Sequence, residues 1–324
     1  MAKQLGTVPA HARVDALTKT VLEDLEKAPK ELSSVWFYDE LGSFLFDSIC
    51  ELPEYYITRT ELQIMHTHAA DMARRIGSGA ALIELGSGTS LKTRLLLDHL
   101  DAPYAYVPVD ISRDHLLDAA RRLARDYPQL RITPVCANFI QDFKLPPDIA
   151  SARRRVVYFP GSTLGNFTRE QARRLLARLL PIIQTDGSIL IGIDLCADIG
   201  MLKRAYDDEA GVTAEFNLNA LRHINRELGA DFDLASFDHA ALWNDDHRRM
   251  EMHLVSKRDQ IVHLGGRSVR IARGEHLRTE YCHKYTLDSF EQLALESGLA
   301  ITHAWSDPAK LFAVLMLEPR RLHA

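Results

Sequence analysis

The chain has 324 residues, of which 46% are hydrophobic and 26% charged, and this mixture is ordinary for a folded globular protein. Its 39 basic and 44 acidic side chains leave a formal net charge of −5 with histidine neutral, so there is no global basic field to hold nucleic acid or an anionic membrane. No apolar run approaches the roughly 18 residues of a transmembrane helix, and residues 1–20 lack the hydrophobic core of a signal peptide. We therefore expect a cytoplasmic globular enzyme that binds neither nucleic acid nor membrane.

Cysteine and histidine do not indicate a metal site. Two histidines, His66 and His68, lie close together in sequence, and Cys282 precedes His283, but neither cluster has zinc-ligand spacing with a complementary pair. The four cysteines occur without a CxxC motif, which is typical of thiols in a reducing compartment: Cys50, Cys136, Cys196 and Cys282. We expect free thiols and no metal.

The N-terminal segment has two helical patterns separated by an aromatic-rich stretch. Apolar residues recur at helical spacing over residues 14–28 and again over 61–75. The aromatic residues between them include Trp36, Phe44 and Phe46, which we expect in a hydrophobic core. The tyrosines of this stretch are expected near a surface or pocket, because a buried phenol needs a hydrogen-bond partner.

From residue 80 the sequence alternates short apolar strands with amphipathic helices. Strands are predicted at 80–85, 104–109, 131–136, 154–159 and 188–195, and helices at about 90–100, at 115–127 and after Thr168. Thr168 and Gln171 have the spacing of a capping box, which marks the start of a helix. This alternation is typical of a parallel sheet covered on both faces. The predicted fold class is therefore α/β, with a doubly wound, Rossmann-like domain.

The alternation ends after Cys196. Residues 205–234 have a helical pattern, residues from about 239 to 286 suggest antiparallel strands, and a helix at 287–299 precedes two closing strands. The simplest division is into two domains. Segments 61–195 and 287–324 would form the Rossmann-like domain, and segments 1–60 and 196–286 a second, α+β domain.

A glycine motif, Glu84-Leu85-Gly86-Ser87-Gly88-Thr89-Ser90, follows the first of these strands. Glycines at this point let the backbone approach a ligand at the carboxyl edge of the sheet. A dinucleotide fingerprint would need another glycine at Leu91, so a pyrophosphate is disfavoured. Glu84 suits a cofactor with a cationic group, such as the ammonium of S-adenosylmethionine. The motif favours a methyltransferase over a dehydrogenase, and a plain turn with an incidental acid is the alternative.

Polar and aromatic residues also follow the next two strands. Asp110 ends the strand after the glycine motif, where a carboxylate can bind both ribose hydroxyls. Asn138 follows the third strand, where its amide can hydrogen-bond the adenine edge, and the ring of Phe139 can pack nearby. Together with Glu84 and the glycines, these residues strengthen the S-adenosylmethionine interpretation.

The loop after the fourth strand, residues 160–167, is expected to hold the methyl acceptor. With this loop in YFPGSTLGNF, and with LIELGSGTSLKTR, WFYDELGSFLFDSI, LPEYYITRTE and AYDDEAGVTAEFN, the sequence resembles the histidine Nα-methyltransferases of ergothioneine biosynthesis. The resemblance covers residues 29–317. It implies a class I methyltransferase domain with a substrate-binding domain. It also implies three methyl transfers from S-adenosylmethionine to the α-amine of L-histidine, which give hercynine.

The resemblance implies particular site residues as well. Donor contacts would be made by Gly86, Lys92, Asp110, Asn138 and Phe139, in addition to Glu84 and Gly88 of the glycine motif. Amino-acid contacts would be made by Tyr38, Tyr55, Asn166, Tyr206, Met252, Glu280 and Cys282. Two residues depart from the family pattern. Asn138 stands where an aspartate is expected, and Cys282 stands where a serine is usual, although a thiol is a weaker hydrogen-bond donor than a hydroxyl.

The chemistry fits these residue types. Methyl transfer is an in-line attack on a sulfonium methyl, so the enzyme chiefly positions and desolvates its substrates. Because α-amino groups titrate near about 7.7–8.0, no strong base is needed. We expect Asn166 to orient the amine and carboxylate, Tyr206 to bind the carboxylate and Tyr38 to accept from the amine. Glu280 would bind an imidazole N–H, and aromatic faces would stabilise the quaternary product.

Other interpretations stay open at this point. A related enzyme could methylate another amino acid or aromatic amine, such as tryptophan or a derivative. Cys282 supports this alternative, because it departs from the serine that is usual in the family. A non-catalytic protein could retain the fold and bind S-adenosylmethionine or an amino acid. Taken singly, Lys92 could be a solvated helix lysine, and Glu280 a surface acid on a strand. We expect a small-molecule amino-acid substrate and a monomer.

Overall fold

The computed structural model describes residues 10–88 and 91–320. Its helices are α1 (Ala10–Leu25), α2 (Glu40–Glu51), α3 (Tyr56–Ile76), α4 (Leu91–Leu97), α5 (Arg113–Asp126), α6 (Arg169–Ile183), α7 (Ile199–Tyr206), α8 (Val212–Leu228) and α9 (Leu287–Glu296). Its strands are β1 (Lys30–Glu31), β2 (Ala80–Leu85), β3 (Ala105–Asp110), β4 (Val135–Cys136), β5 (Arg154–Phe159), β6 (Ser188–Asp194), β7 (Phe237–Asn244), β8 (Arg249–Ser256), β9 (Gln260–Leu264), β10 (Arg267–Ile271), β11 (His276–His283), β12 (Leu299–Ser306) and β13 (Phe312–Pro319). None of the helices in these two ranges combines the length and hydrophobicity needed to cross a membrane.

A seven-stranded sheet in the order β12-β13-β6-β5-β2-β3-β4 confirms the predicted α/β, Rossmann-like fold class. Strands β4, β3, β2, β5 and β6 run parallel to one another. The two closing strands differ, because β13 runs antiparallel to β6 and β12 antiparallel to β13. The doubly wound parallel sheet therefore ends in an antiparallel edge.

Burial explains why the central strands are nearly continuous apolar runs. Every residue of β2 and β6 is buried, as expected for strands with helices on both faces. The capping box predicted for α6 is present, because Thr168 accepts from the Gln171 backbone and the Gln171 side chain accepts from the Thr168 backbone. These elements have the predicted positions to within a residue or two.

Strand β4 is shorter than predicted. Only Val135 and Cys136 form the strand, and Ile132 makes an isolated parallel bridge with Tyr106. Pro134 lies between them, and a proline has no N–H to donate to the ladder. The predicted strand over residues 131–136 is therefore interrupted at its centre.

A second, four-stranded sheet has the order β1-β11-β8-β7. Its edge strand β1 pairs in parallel with β11, with Lys30 opposite Leu277. The region predicted to be antiparallel therefore also includes one parallel strand, which comes from the N-terminal segment. Strands β9 and β10 form a separate antiparallel hairpin. The turn of this hairpin is Gly265-Gly266, with φ of +56° and +74°, a conformation that glycine adopts readily.

The aromatic-rich stretch is only partly in a core. Trp36 is 7% exposed and Phe37 is fully buried, but Phe44 is 66% exposed. The prediction that Phe44 lies in a hydrophobic core is therefore wrong. Phe44 lies on α2 five residues before the buried Ile49, which places the two side chains about 140° apart around the helix axis. Phe46 is half-buried.

The chain divides into two compact units. The first contains the described residues up to Phe46, together with Tyr206–Leu242 and Glu251–Tyr281. The second contains Asp47–Ala205 apart from 89–90, together with Trp243–Met250 and the described residues from Cys282 onward. These limits differ from the domain limits expected at residues 60, 195 and 286. The assignment of donor binding to one domain and substrate binding to the other stays a prediction.

Candidate active site

The glycine motif forms a tight loop at the carboxyl end of β2. Gly86 and Gly88 have φ of +68° and +46°, in the region that side chains with a Cβ avoid. The Gly86 N–H donates to the Val109 carbonyl at 2.8 Å, which joins the loop to β3. Thr89 and Ser90 of the motif lie outside the described residues. A Cβ on Gly86 would lie 3.8 Å from the Phe139 ring.

Asp110 and Phe139 lie beside this loop. Asp110 Oδ2 is 3.5 Å from the Gly88 nitrogen, and Oδ1 accepts from the Ser112 N–H at 2.9 Å. Burial raises the pKa of the Asp110 carboxyl, although these backbone N–H groups act in the opposite direction. The structure thus brings the two glycines, Asp110 and Phe139 together at the carboxyl edge of the parallel strands, where a nucleoside ligand binds in open α/β folds.

Asn138 forms a local turn next to Phe139. Its side-chain oxygen accepts from the Ile140 N–H at 3.0 Å, a bond typical of asparagine turns. An amide oxygen has a second lone pair, so it can accept one further hydrogen bond. The predicted role toward an adenine amino group is compatible with this geometry and stays a prediction.

Glu84 is buried rather than open to the glycine loop. Its carboxyl is 2% exposed and accepts from Thr93 Oγ1 at 2.6 Å and from the Tyr106 hydroxyl. Burial raises the pKa of Glu84 to about 7, while the two hydroxyl donors act to lower it. These bonds join β2 to α4 and β3, so Glu84 holds the frame of the loop. Its role toward the ammonium of the donor stays a prediction.

Lys92 is not a solvated helix lysine. Its ammonium lies 2.5 Å from Glu61 Oε2, and the two side chains are 17% and 0% exposed. The Glu61 carboxylate also accepts from the Gly161 N–H, at 3.1 and 3.0 Å. The Glu61 side chain therefore connects α4, after the glycine loop, with the loop after β5. Sequence analysis missed Glu61, because a single acid in a helical pattern looks like a solvated residue.

The loop after β5 packs on the end of β11. Residues Thr163–Asn166 form a turn of 3₁₀ helix, preceded by Ser162 in the left-handed conformation with φ of +57°. A Cβ on Gly165 would lie 2.8 Å from the His283 carbonyl oxygen and 2.9 Å from Cys282 Sγ. Only glycine fits at this position, and the close approach places the turn that carries Asn166 directly against Cys282.

Cys282 lies next to a buried ion pair that sequence analysis did not predict. The thiol side chain is 5% exposed, and its Sγ is 3.4 Å from Lys284 Nζ. Lys284 in turn pairs with Asp194 at 2.7 Å, and both side chains are fully buried. Asp194 ends a parallel strand, as Asp110 does, so its position in the sequence carried a signal that could have been recognised.

Tyr38 lies in an aromatic cluster of the first unit. Its ring centroid is 6.0 Å from that of Phe46 and 5.8 Å from that of Phe216, both edge-on. These separations are in the range that stabilises aromatic pairs. The cluster fixes the ring plane of Tyr38.

A buried hydrogen-bond chain in the first unit positions Tyr206. The Tyr206 carbonyl accepts from His239 Nε2 at 2.8 Å, and Asn217 Nδ2 lies 2.8 Å from His239 Nδ1. Thr279 Oγ1 donates to Asn217 Oδ1 at 2.6 Å and lies 3.0 Å from the Met252 carbonyl oxygen. The chain therefore connects Tyr206 with Met252 and with the residue before Glu280.

The predicted amino-acid contacts are distributed over both units. Those in the first unit are Tyr38, Tyr206, Met252 and Glu280, and those in the second are Tyr55, Asn166 and Cys282. Tyr55 is half-buried at the residue before α3. All predicted donor contacts belong to the second unit. No group of three or more metal-ligating side chains was found among the described residues.

Comparisons with known proteins identify the family. A family model described as "Histidine-specific methyltransferase, SAM-dependent" matches residues 17–319. The histidine N-alpha-methyltransferase of Mycolicibacterium smegmatis is 43% identical over 310 residues, which cover 94% of this chain and 95% of the relative. The protein of the same name from Mycobacterium tuberculosis is 39% identical over 319 residues, with 97% of each chain covered.

A longer fungal protein is also similar. Ergothioneine biosynthesis protein 1 of Neurospora crassa is 30% identical over 288 residues. The match covers 86% of this chain but 32% of the fungal protein.

Proposed function

The chain belongs to the S-adenosylmethionine-dependent, histidine-specific methyltransferases, and we propose that it converts L-histidine to hercynine by three methyl transfers to the α-amine. The observation that carries the proposal is the arrangement at the carboxyl edge of the seven-stranded sheet. There Gly86, Gly88 and Asp110 form a cradle, and Glu61 connects it to the loop that bears Asn166.

Donor binding is assigned to the residues around the glycine loop. Asp110 accepts from the ribose hydroxyls, Asn138 accepts from the adenine amino group, and Phe139 packs on the adenine. Gly86 and Gly88 allow the backbone to approach the donor, and Lys92 faces its carboxylate. Glu84 completes the proposed donor set by supporting the loop through its bonds to Thr93 and Tyr106.

Methyl transfer requires positioning rather than strong acid–base chemistry. The neutral α-amine attacks the sulfonium methyl, a C–N bond forms as the C–S bond breaks, and S-adenosylhomocysteine leaves. Each attack needs an amine that has lost its proton, which is accessible near neutral pH. Asn166 orients the amine and Tyr38 accepts from it, so these two are the proposed catalytic residues. The aromatic cluster around Tyr38 stabilises the trimethylammonium product, which has no N–H.

Amino-acid binding is assigned to a second set of side chains. Tyr55 and Tyr206 bind the α-carboxylate end together with Asn166. Glu280 accepts from one imidazole N–H, Cys282 bonds the other imidazole nitrogen, and Met252 lines the side-chain pocket. A carboxylate opposite the imidazole favours histidine, because an apolar indole ring gains less from a charged partner.

Mass spectrometry of the reaction products tests the function directly. Purified protein with S-adenosylmethionine should add three methyl groups to histidine and none to tryptophan or tyrosine. Methylation of another amine without methylation of histidine would leave the donor site intact and reject the proposed substrate. If the protein binds S-adenosylmethionine but methylates none of the amines tested, it would instead be a non-catalytic binding protein.

A Glu280→Ala variant tests the imidazole contact. Loss of the carboxylate should raise the KM for histidine about tenfold or more, since a hydrogen bond to a charged group contributes roughly 1.5–3 kcal/mol. The kcat should change less. The exposed Glu291→Ala variant is the control and should match the wild type. Unchanged histidine kinetics in Glu280→Ala would reject this assignment.

The remaining proposals concern the assembly and setting of the enzyme. We expect a monomer that needs no metal and works in the cytoplasm, where its four free cysteines stay reduced. Light scattering should give a mass near 36.6 kDa, and a chelator should leave the rate unchanged. A doubled mass or a chelator-sensitive rate would contradict the corresponding expectation.

A further inference from the structure

Asp194 is hydrogen-bonded to several segments of the second unit, although the proposed mechanism gives it no role. Its carboxylate accepts from the Tyr56 hydroxyl at 2.7–2.8 Å, from Lys284 Nζ at 2.7 Å and from the Cys196 N–H at 3.0 Å. Its backbone N–H donates to Ser162 Oγ at 3.0 Å. All of these bonds lie in a region from which solvent is excluded, because Asp194 is fully buried.

The bonded groups stand next to the proposed amino-acid contacts. Tyr56 directly follows Tyr55, and Lys284 lies two residues after Cys282. Ser162 begins the turn that ends at Asn166. The Asp194 carboxylate therefore holds the start of α3 and the end of β11, and its backbone N–H holds the loop after β5. Each of these three segments presents one proposed histidine contact.

The two members of this pair lie 2.7 Å apart, and hydroxyl, thiol and backbone groups also bond to them. Burial alone lowers the pKa of Lys284, but the Asp194 carboxylate more than offsets this and raises it above the ordinary value. Lys284 is therefore charged, and its ammonium lies 2.7 Å from the Asp194 carboxyl. A buried ion pair of this kind contributes little net stability compared with apolar residues, but it demands a specific geometry.

We propose that Asp194 and Lys284 are a positioning pair for the methyl acceptor, setting the mutual placement of Tyr55, Asn166 and Cys282. The inference rests on the proposed function, since it takes these three residues as histidine contacts. Neither member of the pair touches the reacting atoms in this account. The pair should therefore control histidine binding and turnover and leave donor binding unchanged.

Three variants separate positioning from stability. Asp194→Asn and Lys284→Met each leave one buried charge without its partner, and both should lower the melting temperature. The double variant Asp194→Asn/Lys284→Met removes both charges and should recover much of that loss, as found when buried pairs are replaced together. If the pair positions the acceptor, the double variant should still show a KM for histidine raised about tenfold, equivalent to about 1.4 kcal/mol.

The donor site serves as the internal reference. The Kd for S-adenosylhomocysteine, measured by calorimetry, should stay within about twofold of the wild type in the double variant. A control double variant, Arg154→Met/Glu318→Gln, removes a partly buried pair of the same sheet, with side chains 24% and 36% exposed. It should change stability without changing the KM for histidine.

The outcomes distinguish this inference from the proposed function. A double variant that is stable and has the wild-type KM for histidine would overturn the positioning role while histidine methylation by the wild type still stood. If the wild type methylates a different amine, the proposed substrate is wrong, and the same KM comparison is made with that amine. If the double variant does not fold, Asp194→Glu retains the charge but lengthens the side chain by one methylene. A raised KM with unchanged donor affinity in Asp194→Glu supports the inference, and wild-type kinetics overturn it.

Discussion

Glu84 shows at the residue scale how burial alters the meaning of a motif. Its place before the glycines favours a contact with a cationic cofactor, yet its carboxyl is buried between Thr93 and Tyr106. The pKa of Glu84 is raised to about 7, first of all by burial. Because the raised pKa favours the protonated form in the folded state, Glu84 links folding to pH.

A Glu84→Gln variant should flatten the pH dependence of stability. The folded-state pKa of Glu84 lies above the ordinary value of 4.5, so its stabilising contribution is complete below about pH 4.5 and is lost as pH rises through about 7. The wild type should therefore lose on the order of 3 kcal/mol more than the variant between pH 4.5 and pH 8. Urea unfolding at both pH values measures this, and parallel pH curves for the two proteins would contradict it.

Cys282 gives a second prediction at this scale. Replacement by serine should lower the KM for histidine three- to tenfold, since a neutral hydrogen bond contributes roughly 0.5–1.5 kcal/mol and a hydroxyl donates better than a thiol. Steady-state kinetics with varied histidine measure the change. The exposed Cys136→Ser variant is the matched control and should behave as the wild type. An unchanged or raised KM in Cys282→Ser would show that residue 282 does not donate to the imidazole.

At the scale of single elements, agreement between sequence and structure follows the strength of the local pattern. Strands β2 and β5 have the predicted limits, since each is a short apolar run with turn residues after it. Strand β1 has two residues and is stabilised by pairing with β11, which no local pattern reveals. Strand β4 is cut short by Pro134, whose consequence could have been predicted.

The capping box of α6 provides a test of element stability. A Thr168→Ala variant should lose about 1 kcal/mol of unfolding free energy, because the Thr168 hydroxyl oxygen accepts from the Gln171 N–H at 3.2 Å. Thr168→Ser keeps the hydroxyl and should retain most of the stability. Denaturant midpoints measure both. Equal losses in the two variants would show that the methyl group, rather than the cap, is responsible.

At the scale of the whole molecule, the two compact units differ in the ligand contacts proposed for their residues. All proposed donor contacts lie in the second unit, whereas the proposed histidine contacts are shared between the units. Segments distant in sequence contribute to each unit. The residues of each unit can be recognised one by one in the sequence, but their grouping into a unit depends on the tertiary fold.

Hydrogen exchange should reveal where the donor binds. S-adenosylhomocysteine should slow amide exchange in residues 80–88, 105–112 and 135–141, which carry the proposed cradle. The hairpin of β9 and β10, in the first unit, is the internal control and should exchange at an unchanged rate. Protection of the hairpin without protection of the glycine loop would reject the proposed donor site.

The sequence by itself determined the α/β class, the order of the central strands along the chain and the strand-end positions of Gly86, Gly88 and Asp110. These features are local: burial on both faces makes a strand apolar, and a ligand at the carboxyl edge requires glycine and polar groups just after it. The proposed histidine contacts came from the resemblance to a family, because no rule of residue spacing predicts them.

Only the tertiary structure decided which groups support the site. Glu61 and Lys92 are 31 positions apart, and Asp194 and Lys284 are 90 positions apart, yet each pair is in direct contact. A charged residue in a helix, such as Glu61 or Lys92, looks solvated in the sequence, and the strand-end position of Asp194 does not reveal its partner. Whether such a residue is buried beside an opposite charge depends on which distant segment packs against it. Local periodicity carries no information about that segment.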